Sequence, residues 1–434
     1  MNLSRSLYQN FSWRMAYYAS FFLLNVCMAR YFHAEGSGSF NYLVSVCSLF
    51  ILICGFSLDA AIGYHIAKAA YPTSSINGFI LIWGLAMAII ATPASYLILN
   101  KGNFSKADLP LLLNIWLFIA GNLCLTMLQA LFYAKHDFRL PGIVQVSGNL
   151  LLIACIGAAW YLHRTISLAF FFRIYAICFF VQGIILWIAL LLRDKLSPVS
   201  GFNYAAIGSL FRYASVVFLS NLVFFLVYRI DYWFVNNYCD AVLLGNYIQV
   251  SKIVQVFLIL PAGMASVIFP AVAGGRIEMI SRLKLLSRVM VCAYAVALLM
   301  LCVTGKWLFS AIFGPGFEAM YIPFLILVPG IICLAVLALL GAYFGGRNLA
   351  KVNLVGAVIA LCLTVGGDIL LIPLLDIRGA AIASSVSYAG YVAYLLFWFN
   401  RNEAKGISGF FICTKKDIEH MISLFRKERA NDHH

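Results

Sequence analysis

Polar and apolar residues do not alternate along this chain. Apolar residues gather in blocks of 19 to 29, set apart by short polar breaks. A helix needs about 20 apolar residues to cross the hydrocarbon core of a bilayer, so each block is one crossing long. The blocks predict twelve membrane-spanning helices in two sets of six. The first set is Phe11–Phe32, Ser39–Ile62, Gly78–Asn100, Leu109–Ala134, Gly142–Leu162 and Ile166–Leu192. The second is Leu210–Asn237, Ala241–Phe269, Leu285–Val303, Tyr321–Phe344, Val352–Leu375 and Ala380–Phe399. Barrel strands would alternate over about ten residues, and these runs are too long and too rich in Leu, Ile and Gly for that.

Residues 193–209, with Pro198, Ser200 and Gly201, form the longest break between spans. It separates a six-helix lobe (1–192) from a second (210–400), and a polar tail follows (401–434). Phe40-Asn41-Tyr42-Leu43 is echoed by Gly245-Asn246-Tyr247-Ile248, 205 residues later. Halves of six spans each point the same way, as in parallel repeats. The expected fold is therefore all-α and polytopic, with two six-helix lobes around a central cavity. In the tail, Ile418, Met421, Ile422 and Phe425 share one helical face, flanked by Lys415, Lys416, Arg426 and Lys427. That pattern suits a helix lying on an anionic leaflet, with a solvated tail as the alternative.

Composition narrows the class. Hydrophobic residues make up 63% of the 434 positions and charged residues 11%, against about 25% charged in soluble domains. A soluble enzyme, a nucleic-acid-binding domain and a secreted disulfide scaffold are excluded. The net charge of +14 reports topology instead. With the N-terminus cytoplasmic, 21 Lys and Arg fall in inner segments and the tail. Five fall outside, namely Lys101, Lys106, Arg164, Lys306 and Arg378. The positive-inside rule then puts both termini in the cytoplasm. Of the 12 cysteines, all but Cys239 and Cys413 lie inside apolar runs as small filler, with no CxxC or Cys/His cluster. The first run is span-length and more follow, so no cleavable signal peptide is expected. Motifs for nucleotide hydrolysis (GxxxxGK[ST]), zinc proteolysis (HExxH) and serine hydrolysis (GxSxG) are absent from the sequence, so neither an enzyme nor a resident cofactor is expected.

The chemistry lies in seven charges within the runs: Arg30, Asp59, Arg173, Arg229, Asp231, Lys252 and Asp368. Each costs at least about 2.5–3.5 kcal/mol in hydrocarbon unless it is paired or hydrated. Arg30 and Asp59 stand near span ends, within reach of water. Arg229 and Asp231 are two apart, about 200° around a helix, so they cannot pair with each other. Lys252 sits beside a polar stripe of Tyr247, Ser251 and Gln255 at i, i+4, i+8. Two accounts compete. Arg173, Arg229 and Lys252 are neutralised by Asp231 and Asp368 as buried ion pairs, or the basic residues line a cavity and meet an anion. Five prolines in the spans, Pro93, Pro261, Pro323, Pro329 and Pro373, and Pro270 directly after the eighth, predict kinks.

Several stretches resemble the O-antigen flippases of the polysaccharide transporter family, in the multidrug/oligosaccharidyl-lipid/polysaccharide exporter superfamily. They are Arg212-Tyr213-Ala214-Ser215, YRIDYWFVNNY (228–238), GNYIQVSKIVQVFLILPAGMASVIFPAVA (245–273), GFSLDAAI (55–62) and FGPGF (313–317). The resemblance implies an inner-membrane carrier that moves undecaprenyl-pyrophosphate-linked sugar repeat units from the cytoplasmic to the outer leaflet by alternating access. It places the family's seventh-span Asp at Asp231 and its second-span Asp at Asp59. It carries a cationic lumen to Lys252 and Arg229, with Arg173 and Arg30 as further candidates. Asp231, Asp59 and Asp368 are the carboxylates able to hold a coupling proton or sodium ion. Membrane lipids, a polysaccharide polymerase and a chain-length regulator are the implied partners, and nucleic acid is not. A multidrug or cation antiporter of the same superfamily and a membrane-embedded polymerase are the rivals.

Overall fold

The computed structural model describes residues 3–67, 72–100, 109–195, 204–273, 279–403 and 408–411. These residues form twelve α-helices and no strand. They are α1 (Leu3–Gly55), α2 (Leu58–Ala67), α3 (Asn77–Asn100), α4 (Leu109–Ala134), α5 (Arg139–Tyr161) and α6 (Leu168–Asp194). Then come α7 (Tyr204–Tyr238), α8 (Ala241–Phe257), α9 (Ile259–Ala273), α10 (Met279–Phe313), α11 (Tyr321–Gly346) and α12 (Ala350–Asn402). The amphipathic tail face expected at Ile418–Phe425 lies outside the described residues, as do 196–203 of the expected linker.

Helices and apolar runs do not correspond one to one. Among the described residues ten helical segments are long and apolar enough to cross a membrane, and two of these run to 44 and 53 residues. Each is at least twice the length of one crossing. The longer, α12, is a hairpin turning at one non-helical residue, Asp376 (φ 50°, ψ −138°). Its arms pair antiparallel: Thr364 Oγ1 donates to Ser387 Oγ (2.8 Å), and nearer the open end Tyr391 donates to the Asn353 carbonyl (2.7 Å). The other, α1, breaks at His33 (φ 56°). With both counted as two crossings, the total equals the twelve runs of the sequence. The second run is cut again at Phe56 and Ser57, both at positive φ (48° and 52°). There the Cys54 carbonyl takes its hydrogen bond from Trp83 Nε1 (2.9 Å). The ninth run is the centre of a longer helix, since α10 extends well past Leu285 and Val303.

Two compact units divide the chain: Met1–Phe225 with Phe313–Pro315, and Leu226–Ile312 with Gly316–His434. The division falls inside α7. In the first unit α4 and α6 lie in close contact, because Gly121 allows it; a Cβ there would stand 2.6 Å from the Phe180 backbone. Trp13 meets Gly142 and Ser20 meets Asn149, so the start of α1 runs parallel to α5. An aromatic cluster of Phe40, Phe118, Phe171, Phe172 and Tyr175 fills the core with tilted and edge-on contacts, 5.1–6.5 Å between centroids. At one end of this unit Lys135 pairs with Asp194 and Arg193 with Asp137. At the opposite end Tyr31 donates to the Arg164 carbonyl (2.7 Å). In the second unit α11 packs along α12 and α9.

Candidate functional site

The last turns of α7 carry Tyr228-Arg229-Ile230-Asp231-Tyr232 into the second unit. Asp231 is 2% exposed. Its Oδ1 accepts the Tyr232 N–H (2.9 Å), and its Oδ2 accepts the hydroxyls of Tyr247 (2.5 Å) and Ser384 (3.4 Å). Those hydroxyls stand 3.3 Å apart, so α7, α8 and the second arm of α12 converge on one carboxylate. The Tyr232 and Tyr247 rings meet edge-on at 6.0 Å.

Asp368, on the first arm of α12, is fully buried. Neither of its carboxylate oxygens has a hydrogen-bond partner among the described residues. Neither acid makes an ion pair with a described basic residue. Burying a charged carboxylate is costly unless it is hydrogen-bonded or paired, and of the two only Asp231 has hydrogen-bond donors among the described residues. A recess opens beside Asp231, walled by Tyr228, Tyr247, Ser251, Gln255, Ser384 and Tyr388 over apolar Val254, Leu258 and Leu327. It has room for a water molecule or a bare cation rather than a sugar ring.

The basic residues stand apart from this recess wall. Arg229 is half-buried. Its guanidinium lies 5.2 Å over the Tyr232 ring, and Nη2 donates to Gln255 Oε1 (3.4 Å). Lys252 is also half-buried. The stripe of Tyr247, Ser251 and Gln255 faces the recess, while Lys252, one residue further round the helix, does not line it. Arg30, Asp59 and Arg173 are exposed and belong to the first unit. The deep tally of three cations and two acids is thus redistributed: the fully buried charges are the two acids. The expected ion pairs of Arg173 and Arg229 with Asp231 and Asp368 do not form. Ser384 and Tyr388 escaped the sequence reading, though Ser384, Tyr388 and Tyr391 recur at i, i+4, i+7 in the twelfth run.

No family model matches the chain, and no curated protein matches it by sequence. Solved structures do match. The lipid II flippase MurJ in an inward closed conformation superposes with a TM-score of 0.71 at 14% identity, over 91% of this chain and 87% of that one. An inward-facing MATE-family multidrug resistance transporter of the MOP superfamily gives 0.67 at 14%, over 88% and 94%. An outward-facing one gives 0.62 at 13%, over 94% and 97%. The chain has the all-helical, two-lobed fold that MurJ and the MATE transporters of the MOP superfamily share.

Proposed function

We propose that this protein is a flippase, carrying undecaprenyl-pyrophosphate-linked oligosaccharide units of the O-antigen type from the inner to the outer leaflet of a bacterial cytoplasmic membrane. The observation that carries the reading is that Arg229 and Lys252, on neighbouring helices, are both half-buried, with the Arg229 guanidinium bonded to Gln255 three residues along α8 from Lys252. Two cations on adjoining helices suit a pyrophosphate, whose oxygens accept charge-assisted hydrogen bonds from both. The cargo's polyprenyl chain stays in the bilayer, so only the charged head needs a hydrated path. The fold shared with a lipid II flippase supports the same class of cargo. The inward- and outward-facing forms of MATE relatives support alternating access as the mechanism. Asp231 and Asp368 would hold the proton or sodium ion that drives the cycle. Both termini would lie in the cytoplasm, with a polymerase and a chain-length regulator as partners.

The buried acids favour one second reading. A cation antiporter also needs a carboxylate site, and MATE transporters share this fold. Deletion in the native host separates the two. The flippase loses its polymerised surface polysaccharide and strands lipid-linked units on the inner leaflet. Normal polysaccharide with altered resistance to cationic drugs establishes the antiporter.

A further inference from the structure

The eighth apolar run does not fold as one helix. α8 ends at Phe257, Leu258 stands between, and α9 begins at Ile259. The cause is Pro261, which has no amide hydrogen. The Phe257 carbonyl four residues earlier therefore loses the donor that a continuous helix would supply. The Leu258 N–H turns back to the Gln255 carbonyl (3.1 Å), and the Ala262 N–H reaches the Leu258 carbonyl (3.0 Å). The ladder skips Phe257. Such a carbonyl inside a bilayer needs a donor from a neighbouring helix.

Tyr294 of α10 supplies it. Its hydroxyl donates to the Phe257 carbonyl, and its ring meets the Phe257 ring edge-on at 5.3 Å and 79°. The side chain is 6% exposed. Both contacts fall on the residue where the helix breaks. Gln255 and Leu258, on either side of it, line the recess beside Asp231.

We infer that Tyr294 is a positioning residue: its bond to the Phe257 carbonyl fixes the bend between α8 and α9 and so holds Gln255 and Leu258 at the recess. Pro261 creates the vacancy and Tyr294 fills it, so the two act as a pair. The role concerns the recess and holds whatever the cargo is.

The test reads the bend directly in the full-length protein, reconstituted in lipid. Spin labels at Val242 and Val267, both exposed, report the distance across the break in a cysteine-free background. A straight helix would set these backbones about 37 Å apart, and a proline kink shortens that. Tyr294→Phe keeps the ring and removes the donor, and the distance distribution should shift and broaden as the stranded carbonyl seeks another partner. Pro261→Ala restores the amide donor. In that background Tyr294→Phe should change the distances no further. Unchanged distances in Tyr294→Phe alone, or an equal change with and without Pro261, overturn the inference. The measurement needs no cargo, so it can fail while the flippase proposal stands, or hold while that proposal falls.

Discussion

The Tyr247 hydroxyl lies 2.5 Å from Asp231 Oδ2, and through that bond α8 is tied to the last turns of α7. Ser384 and the Tyr232 amide complete the set, so Asp231 is held by three donors from three helices. Asp368 has no such donor. Two buried acids thus have unlike surroundings, one oriented by neutral donors and the other with none among the described residues.

This asymmetry separates stability from coupling. Asp231→Ala strands buried donors at about 1–3 kcal/mol each, so the melting temperature of the purified protein should fall by several degrees. Asp231→Asn keeps an acceptor for Tyr247 and should lose less. Asp368→Asn removes a buried charge and should leave the melting temperature unchanged or higher, while abolishing the proton or sodium dependence of transport in proteoliposomes. A melting-temperature drop in Asp368→Asn as large as in Asp231→Ala would show that Asp368 is a structural acid.

Lys252 tests the anion path. If it attracts pyrophosphate, charge matters more than shape. Lys252→Arg should keep much of the activity, and Lys252→Ala and Lys252→Glu should abolish it at normal membrane level. Complementation of a deletion strain beside a membrane immunoblot reads both. Full activity in Lys252→Glu would end the anion reading.

Adjacent glycines in the α12 hairpin should differ sharply. A Cβ at Gly367 would stand 2.7 Å from that of Ala383 on the opposite arm, whereas one at Gly366 meets nothing within 4 Å. Gly367→Val should cut the yield of folded protein, by a cost of about 1–3 kcal/mol or more from overpacking. Gly366→Val should express like the parent. Equal yields would mean that the arms do not pack as described.

Cys239 joins α7 to α8 outside the spans, and its thiol is pushed up to about 11 by burial first and then by the charges of Asp376 and Asp240. The thiolate is the reactive form, so labelling of a single-cysteine variant should be slow at neutral pH and rise about tenfold per pH unit until it levels near 11. With both termini cytoplasmic, a membrane-impermeant maleimide should reach it only from outside. A reporter fused after Arg429 should be active only in the cytoplasm. Labelling from the inner face alone would invert the topology.

Span number was legible because hydrocarbon thickness sets a length that the apolar runs obey one by one. Span continuity was not. Nothing in the hydropathy of His33 or Asp376 shows that a chain can reverse through one residue, and the break at Leu258 became visible only as one of six prolines with equal claim to a kink. At the site, the 200° between Arg229 and Asp231 gave their divergence. Which of the two turns inward depends on the rotation of α7 against α8 and α12, and that is a packing property. The stripe on the eighth run pointed to the recess because its period is helical. Lys252 stood next to it in sequence, yet one residue is 100° of helix, enough to take it off the wall.

The one-residue turn at Asp376 also bears on how this protein is made. Two crossings joined without a loop have nothing that can wait in water while its partner enters the bilayer. Their paired carbonyls and hydroxyls, Ser387 to Ala360 and Tyr391 to Asn353, also satisfy groups that lipid would leave bare. Leaving the insertion machinery together, as one closed fork, would let the eleventh and twelfth spans meet both needs at once. A ribosome stalled between them would hold a half-built hairpin whose polar face has no partner, and that nascent chain is where quality control would find a hold.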